Sequence, residues 1–314
     1  MSFSGEVKEE LATQIALTRH CQLAELSALI HFSGRISGSK QMGYSLDFRS
    51  ENQAVVRKYF TLLRKTFNIN TDILEQNMAS EEKNGTMIVR INNQKDLGII
   101  LPAIKMVDVL GNLLTTSDLV NPLLLKNPCC RRAFLRGAYL TVGSMSDPEK
   151  SYHLEFVCIR ESQANQLCNV LNDFNLDAKI VIRKKYFVVY MKEGSCIVDL
   201  LNIMEAHVSL MNLENLRILK EMRNSINRRV NCETANIAKT VNASSKQLID
   251  IELIRDQCGL MNLPDNLREA AELRLEYPEA TLKELGEYLN PPVGKSGMNH
   301  RLRKLSELAD SIRG

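Results

Sequence analysis

Leu26-Ser-Ala-Leu-Ile-His-Phe-Ser-Gly34 recurs in kind and length as Leu135-Arg-Gly-Ala-Tyr-Leu-Thr-Val-Gly143, and the elements after each stretch recur in the same order. Both are apolar, dense in small residues, end in glycine, and read as helices. An alternating strand comes next, Tyr44 to Phe48 in one copy and Tyr152 to Phe156 in the other. A helix opens at Glu51-Asn-Gln-Ala54 or Glu161-Ser-Gln-Ala164, and each copy then passes through Phe-Asn plus an aliphatic residue, Phe67 to Ile69 and Phe174 to Leu176. Two further strands are expected around Ile73 and Ile88 to Ile91, matched by Ile180 to Ile182 and Phe187 to Tyr190. Closing helices run over Lys95 to Met106 and Gly194 to Ala206. The period exceeds that of solenoid repeats, so the reading is a duplicated domain, two α/β halves facing each other across a pseudo-dyad.

In the two opening helices, Ser27, Ala28, Ser33 and Gly34 face the task of packing against Gly137, Ala138, Thr141 and Gly143. Small side chains let helix backbones approach closely, so these helices are expected to cross at the centre. Residues from about 20 to 206 thereby resemble the LAGLIDADG homing-endonuclease fold. In that family the penultimate motif position is an acid holding the catalytic cation; here Ser33 and Val142 occupy it. A magnesium ion wants carboxylate oxygens, which neither residue supplies, so no catalytic and no metal-ligating residue is assigned. Asp47 and Asp147 are the acids a relocated nuclease site would recruit, but acids in loops serve more often as turn residues. His31 reads as a hydrogen-bonded packing residue. Arg49, Arg90, Arg183, Lys184 and Lys185 could face DNA from the sheets, although Arg183 to Lys185 also fits a charged hairpin tip.

The chain has 314 residues, 44% hydrophobic and 25% charged, which excludes disorder and leaves room for two or three domains. No stretch approaches the ~18 apolar residues of a membrane span, and Met1 to Lys8 is polar, so a cytosolic protein without membrane association is expected. Eight cysteines without a Cys-x-x-Cys pair read as reduced thiols, implying neither zinc nor a disulfide framework. Net charge is +3, but its distribution is uneven. Residues 215 to 246 hold seven cations against two acids, residues 250 to 287 hold ten acids against four bases, and residues 288 to 306 hold four cations and no acid. Cationic blocks of this kind suit a nucleic-acid backbone as well as a solvated helix face.

After Ala206 helical spacing takes over: Leu216, Leu219, Met222, Ile226 and Val230 recur every three or four residues. The Arg- and Asn-rich run beginning there offers Arg223, Asn227, Arg228, Arg229 and Lys239 as DNA contacts. Asn242-Ala-Ser-Ser245 reads as a turn between helices, with Ser244 or Ser245 as N-cap. Farther on, Pro264 precedes an amphipathic helix, Asp265 to Tyr277. Thr281-Leu-Lys-Glu284 matches a capping box opening a short helix to Leu289, and Asn290-Pro-Pro-Val-Gly294 forbids its continuation. Ser296 is the expected cap of a last helix, Gly297 to Ile312, whose apolar stripe is Met298, Leu302, Leu305, Ala309 and Ile312. Asn299, His300, Arg303 and Lys304 then point away from the stripe and Arg301 flanks it. This is the layout of a helix-turn-helix reader, with Arg303 suited to a guanine edge and Asn299 to an adenine edge. Lys295, Arg301 and Lys304 would meet phosphates, and the amides of residues 296 to 298 offer an anion site. Gly294-Lys-Ser296 imitates the end of a P-loop, but Leu289 stands where its first glycine belongs, so no nucleotide cofactor is expected.

Taken whole, the chain resembles the WhiA family. The bearers are Met1 to Glu10, Ala24 to Leu29, Cys129-Cys130, Arg136 to Ala138, Ser151 to Glu155, Arg223 to Arg228, Asn231 to Asn236 and Lys295 to Lys304. The resemblance implies a degenerate LAGLIDADG domain joined to a helix-turn-helix. It also implies a cytoplasmic, nucleoid-associated, non-catalytic protein that binds double-stranded DNA in cell division and chromosome segregation, a sporulation transcription factor in actinomycetes. The expected architecture is α+β, with halves at 1–120 and 121–212, a basic helical connector at 213–262 and an all-α helix-turn-helix domain at 263–314. Two alternatives stay open. One is a metal-dependent endonuclease with relocated acids. The other is a division scaffold acting on regulatory or division proteins through an apolar sheet surface.

Overall fold

The computed structural model describes residues 2–69, 78–82, 85–114 and 119–313. The chain forms two compact units, Met1–Leu219 and Lys220–Gly314. The first is the duplication. Its amino-terminal half runs α1 (Phe3–Thr13), α2 (Arg19–Ser33), β1 (Gly34–Ser39), β2 (Gly43–Ser50), α3 (Gln53–Phe67), β3 (Met78–Glu82), β4 (Thr86–Ile91) and α4 (Gln94–Ala103). The second half runs α5 (Pro128–Val142), β5 (Gly143–Met145), β6 (Leu154–Cys158), α6 (Glu161–Asn172), β7 (Lys179–Arg183), β8 (Tyr186–Met191) and α7 (Gly194–Met204). The antiparallel sheets have the same order, β1-β2-β4-β3 and β5-β6-β8-β7. The repeated Phe-Asn-aliphatic segment has a backbone cause: Asn68 and Asn175 adopt φ of 55° and 60°, which asparagine tolerates better than most residues.

Two details depart from the sequence-based expectation. Strands β1 and β5 come directly after α2 and α5, although no apolar alternation announces them. β6 begins at Leu154, two residues later than expected. The strand expected around Ile73 lies outside the described residues, and β3 is found at Met78–Glu82.

The motif helices α2 and α5 pack on each other more extensively than any other helix pair. The expected small residues make this possible: a Cβ at Gly137 would lie 2.6 Å from the Glu25 carbonyl oxygen and 2.8 Å from the Ala28 Cβ. At the same crossing Glu25 is fully buried, 2.9 Å from Lys58 Nζ and 3.2 Å from Arg136 Nε. Arg136 also reaches Glu205 at 2.8 Å. A lone buried carboxylate would be prohibitive, and two cations make this one tolerable. A single apolar core then runs through both halves, including Leu26, Leu29, Leu46 and Phe48 from one and Phe134, Leu135, Leu154 and Phe156 from the other.

α8 (His207–Gln257) is one continuous helix, so the turn expected at Asn242 to Ser245 is absent. That segment holds neither proline nor glycine, and the Ser244 hydroxyl donates to the Pro278 carbonyl oxygen at 2.5 Å instead of capping a helix. In the second unit α8 is joined by α9 (Asp265–Glu276), α10 (Leu282–Glu287) and α11 (Lys295–Arg313). Ile251 and Ile254 of α8 share a core with Ala270, Leu285, Met298, Leu302 and Leu305. Among the described residues, no helix is long and apolar enough to cross a membrane.

Candidate nucleic-acid interface

The site is built from α10, the turn after it and α11. Both halves of the expected capping box are present: Thr281 Oγ1 accepts from the Glu284 amide at 3.3 Å, and the Glu284 carboxylate accepts from the Thr281 amide at 2.7 Å. These bonds hold the Glu284 carboxyl below the usual carboxylate range. The turn closes where the Val293 amide donates to the Gly286 carbonyl at 2.9 Å. A Cβ at Gly286 would lie 2.1 Å from the Val293 carbonyl oxygen, so only glycine fits. Sequence reasoning does not single out Gly286; a glycine inside a short helix beside a diproline turn is the available signal.

α11 begins at Lys295, two residues earlier than the sequence suggested. Ser296 is therefore inside the first turn and is not the cap. The Met298 amide already donates to the Gly294 carbonyl at 3.1 Å, which moves the amides facing forward to Lys295, Ser296 and Gly297. Met298, Leu302, Leu305 and Ala309 are buried, and Ile312 packs at the edge of their cluster. Lys295, Ser296, Asn299, His300, Arg303 and Lys304 are all exposed on the remaining surface. Arg301 is half-buried, donates to the Asn266 carbonyl at 3.2 Å and lies 3.7 Å from Glu269. It ties α11 to α9 and is less available to phosphate than its neighbours. Arg303 pairs with Glu307 at 3.3 Å, both exposed, a contact weak enough to yield to a ligand. At the far end of α11, Arg313 donates to the buried Asp250 at 2.6 Å and fixes the helix against α8.

On α8, Arg223, Asn227, Arg228, Arg229 and Lys239 are exposed but do not form one patch. At about 100° per residue, Arg228 and Lys239 share a face with Lys220, Asn224, Asn231 and Lys246. Arg223 and Asn227 border it, and Arg229 lies on the other side, 3.6 Å from Glu233.

In the duplicated domain, Ser33 lines a polar cleft of about 530 Å³ with Lys8, Arg49, Glu51, Asn52 and Thr141. Burial lowers the Lys8 ammonium pKa, partly offset by Glu51. Val142, the other motif position, is half-buried and contributes no polar atom. The acids nominated for a relocated site are engaged elsewhere. Asp47 receives Arg90 Nε and Nη2, both at 2.7 Å, and this guanidinium draws its carboxyl below the usual range. Asp147 accepts from the Glu149 amide at 3.0 Å in a turn. His31 Nδ1 lies 2.6 Å from the Ser27 carbonyl oxygen within α2, a packing arrangement. Arg183 meets Glu155 at 3.1 Å, Lys184 takes φ of 57° in the β7–β8 turn, and Lys185 Nζ lies 5.4 Å from the Tyr186 ring centroid. These three residues are the charged hairpin tip.

Three family models match the chain: the WhiA N-terminal LAGLIDADG-like domain at residues 19–100, the WhiA LAGLIDADG-like domain at 131–223, and the WhiA C-terminal HTH domain at 226–309. A "probable cell division protein WhiA" of Lachnoclostridium phytofermentans is 53% identical over 313 residues, covering 100% of both chains. A protein of the same name from Alkaliphilus oremlandii is 49% identical, covering 99% of this chain and 98% of its own. Among solved structures, full-length DUF199/WhiA from Thermatoga maritima is similar with a TM-score of 0.57 and 26% identity, covering 99% of each chain.

Proposed function

The chain belongs to the WhiA family, and from that membership we propose that it is a non-catalytic regulator of cell division that reads double-stranded DNA with α11. One observation carries the reading. The amino-terminal half of α11 buries Met298 and Leu302 while leaving Asn299, His300, Arg303 and Lys304 exposed, with no acid from Lys295 to Lys304. A helix seated this way enters the major groove, with Arg303 and Asn299 on base edges and Lys295, Ser296 and Lys304 on phosphates. Arg301 contributes mainly by holding α11 in place. Residues 263–314 are the reader in this proposal. The connector, 213–262, adds backbone contacts through Arg228 and Lys239, with Arg223, Asn227 and Arg229 at its margins. Halves 1–120 and 121–212 form the degenerate scaffold. Transcriptional control, chromosome segregation and a nucleoid-associated cytoplasmic location are the roles we assign.

Fluorescence anisotropy with labelled genomic fragments tests the assignment. Arg303→Ala weakens binding by about 1–3 kcal/mol and relaxes base choice, whereas Lys304→Ala weakens all sequences alike and lowers the salt slope by about 1. Unchanged binding by both folded variants overturns it. The non-catalytic part rests on Ser33, Val142 and the prior engagement of Asp47 and Asp147. Plasmid DNA incubated with magnesium or manganese is expected to stay intact; scission abolished by Asp47→Asn or Asp147→Asn reverses that part.

A second reading, action through protein contacts, draws on a different surface from the one expected. The sheets expose Val181 and Ile182, while α8 exposes a longer apolar stripe including Met222, Ile226, Val230, Ile237 and Val241. Division function that survives Arg303→Ala with DNA binding lost would favour it.

A further inference from the structure

We propose that His20, Cys21, Cys129 and Cys130 form a binding site for a thiophilic divalent cation of the zinc type, assembled from both halves of the duplicated domain. Their ligand atoms all lie within 4.8 Å of one another. His20 Nδ1 is 3.1 Å from Cys130 Sγ and 3.4 Å from Cys21 Sγ. Around a tetrahedral zinc with its usual bond lengths, a nitrogen and a sulfur ligand stand about 3.6 Å apart, so these edges need little adjustment.

The duplication explains how four such residues meet. The offset that superposes Gly34 on Gly143 also places His20 on Cys129 and Cys21 on Cys130. Each half thus contributes an adjacent pair from the first turn of its crossing helix, α2 or α5, at the opposite end from Ser33 and Val142. Neither Thr18 nor Asn127 caps its helix with its side chain, so two positive helix ends converge where thiolates would form. Cys21 and Cys130 are buried, while His20 and Cys129 stand at the surface and leave a way in. The adjoining cleft, about 550 Å³, is lined in part by Arg132, whose charge offsets part of that of the thiolates, and by Arg136 and Glu205, which pair with each other.

The donor set selects the cation. Three sulfurs and an imidazole suit zinc and similar soft ions and repel magnesium, which prefers oxygen. With four protein ligands no position remains for water or substrate, so the ion is structural and pins α2 to α5 at their starts. Linear spacing hides the site because the pairs come from separate copies, which is why the cysteines alone implied no zinc.

Metal analysis of the full chain, purified under reducing, chelator-free conditions, is expected to show one equivalent of zinc. Titration with cobalt is expected to give the charge-transfer and d–d bands of a tetrahedral thiolate site. His20→Ala combined with Cys129→Ser alters only surface positions; it is expected to lose both signals while circular dichroism stays native. His20→Cys is expected to keep the site and strengthen the charge-transfer band. Absence of stoichiometric zinc or cobalt in the unaltered chain overturns the proposal. So do bands that persist in the double variant, or a disulfide joining these cysteines in place of metal uptake.

Discussion

A methyl group at position 137 has nowhere to go. The 2.6 Å separation from the Glu25 carbonyl is to backbone, which cannot swing aside as a flexible side chain would. Gly137→Ala is therefore expected to destabilise the first unit by about 1–3 kcal/mol, read from urea denaturation. Glu25→Ala is expected to cost more, about 3–5 kcal/mol, because it takes the carboxylate from buried Lys58 and leaves Arg136 only the part-exposed Glu205. Asp47 adds a pH dependence. Arg90 lowers its folded pKa, so its stabilisation is fully present above the ordinary aspartate value and is lost as pH falls through the lowered one. Urea midpoints of the unaltered chain and Asp47→Asn are thus expected to differ near neutrality and converge in acid. At this scale the small residues of the crossing were legible, since lack of bulk is visible wherever it occurs. The Glu25, Lys58 and Arg136 cluster was not, because its members come from three separate helices and no local pattern joins them.

Elements with their own punctuation were the readable ones. Thr281, Glu284 and the prolines at 291 and 292 mark α10 and its end, and Thr281→Ala is expected to cost about 1 kcal/mol in a thermal melt. β1 and β5 carry no such marks. Arg35-Ile-Ser-Gly-Ser39 is polar and Gly143–Met145 has only three residues, and both are held by pairing with the next strand. α8 shows the reverse error, punctuation read where none operates. Asn and Ser at 242–245 favour caps, but continuing the backbone hydrogen bonds outweighs that preference. Ala243→Pro is expected to cost about 3 kcal/mol and lower the helical circular dichroism signal, whereas a true loop there would tolerate it.

For the molecule as a whole, the large apolar core that each unit has among the described residues makes two unfolding events the expected outcome of scanning calorimetry. Glu25→Ala is expected to lower one transition and Thr281→Ala the other; a joint shift of both by either change would show a single cooperative body. The duplication was legible because it repeats along the chain. The sharing of one core by its two copies was not, since the sequence shows what recurs and not what the copies bury against each other. That sharing governs how the protein can be cut. Glu25 has its cations on α3 and α5, and Gly137 has its neighbours on α2. A gene split between the copies would yield two fragments, each presenting unmet charge and bare hydrocarbon. Made alone they would precipitate, and made together they would find one another, so the duplicated domain can be rebuilt from two separately encoded halves.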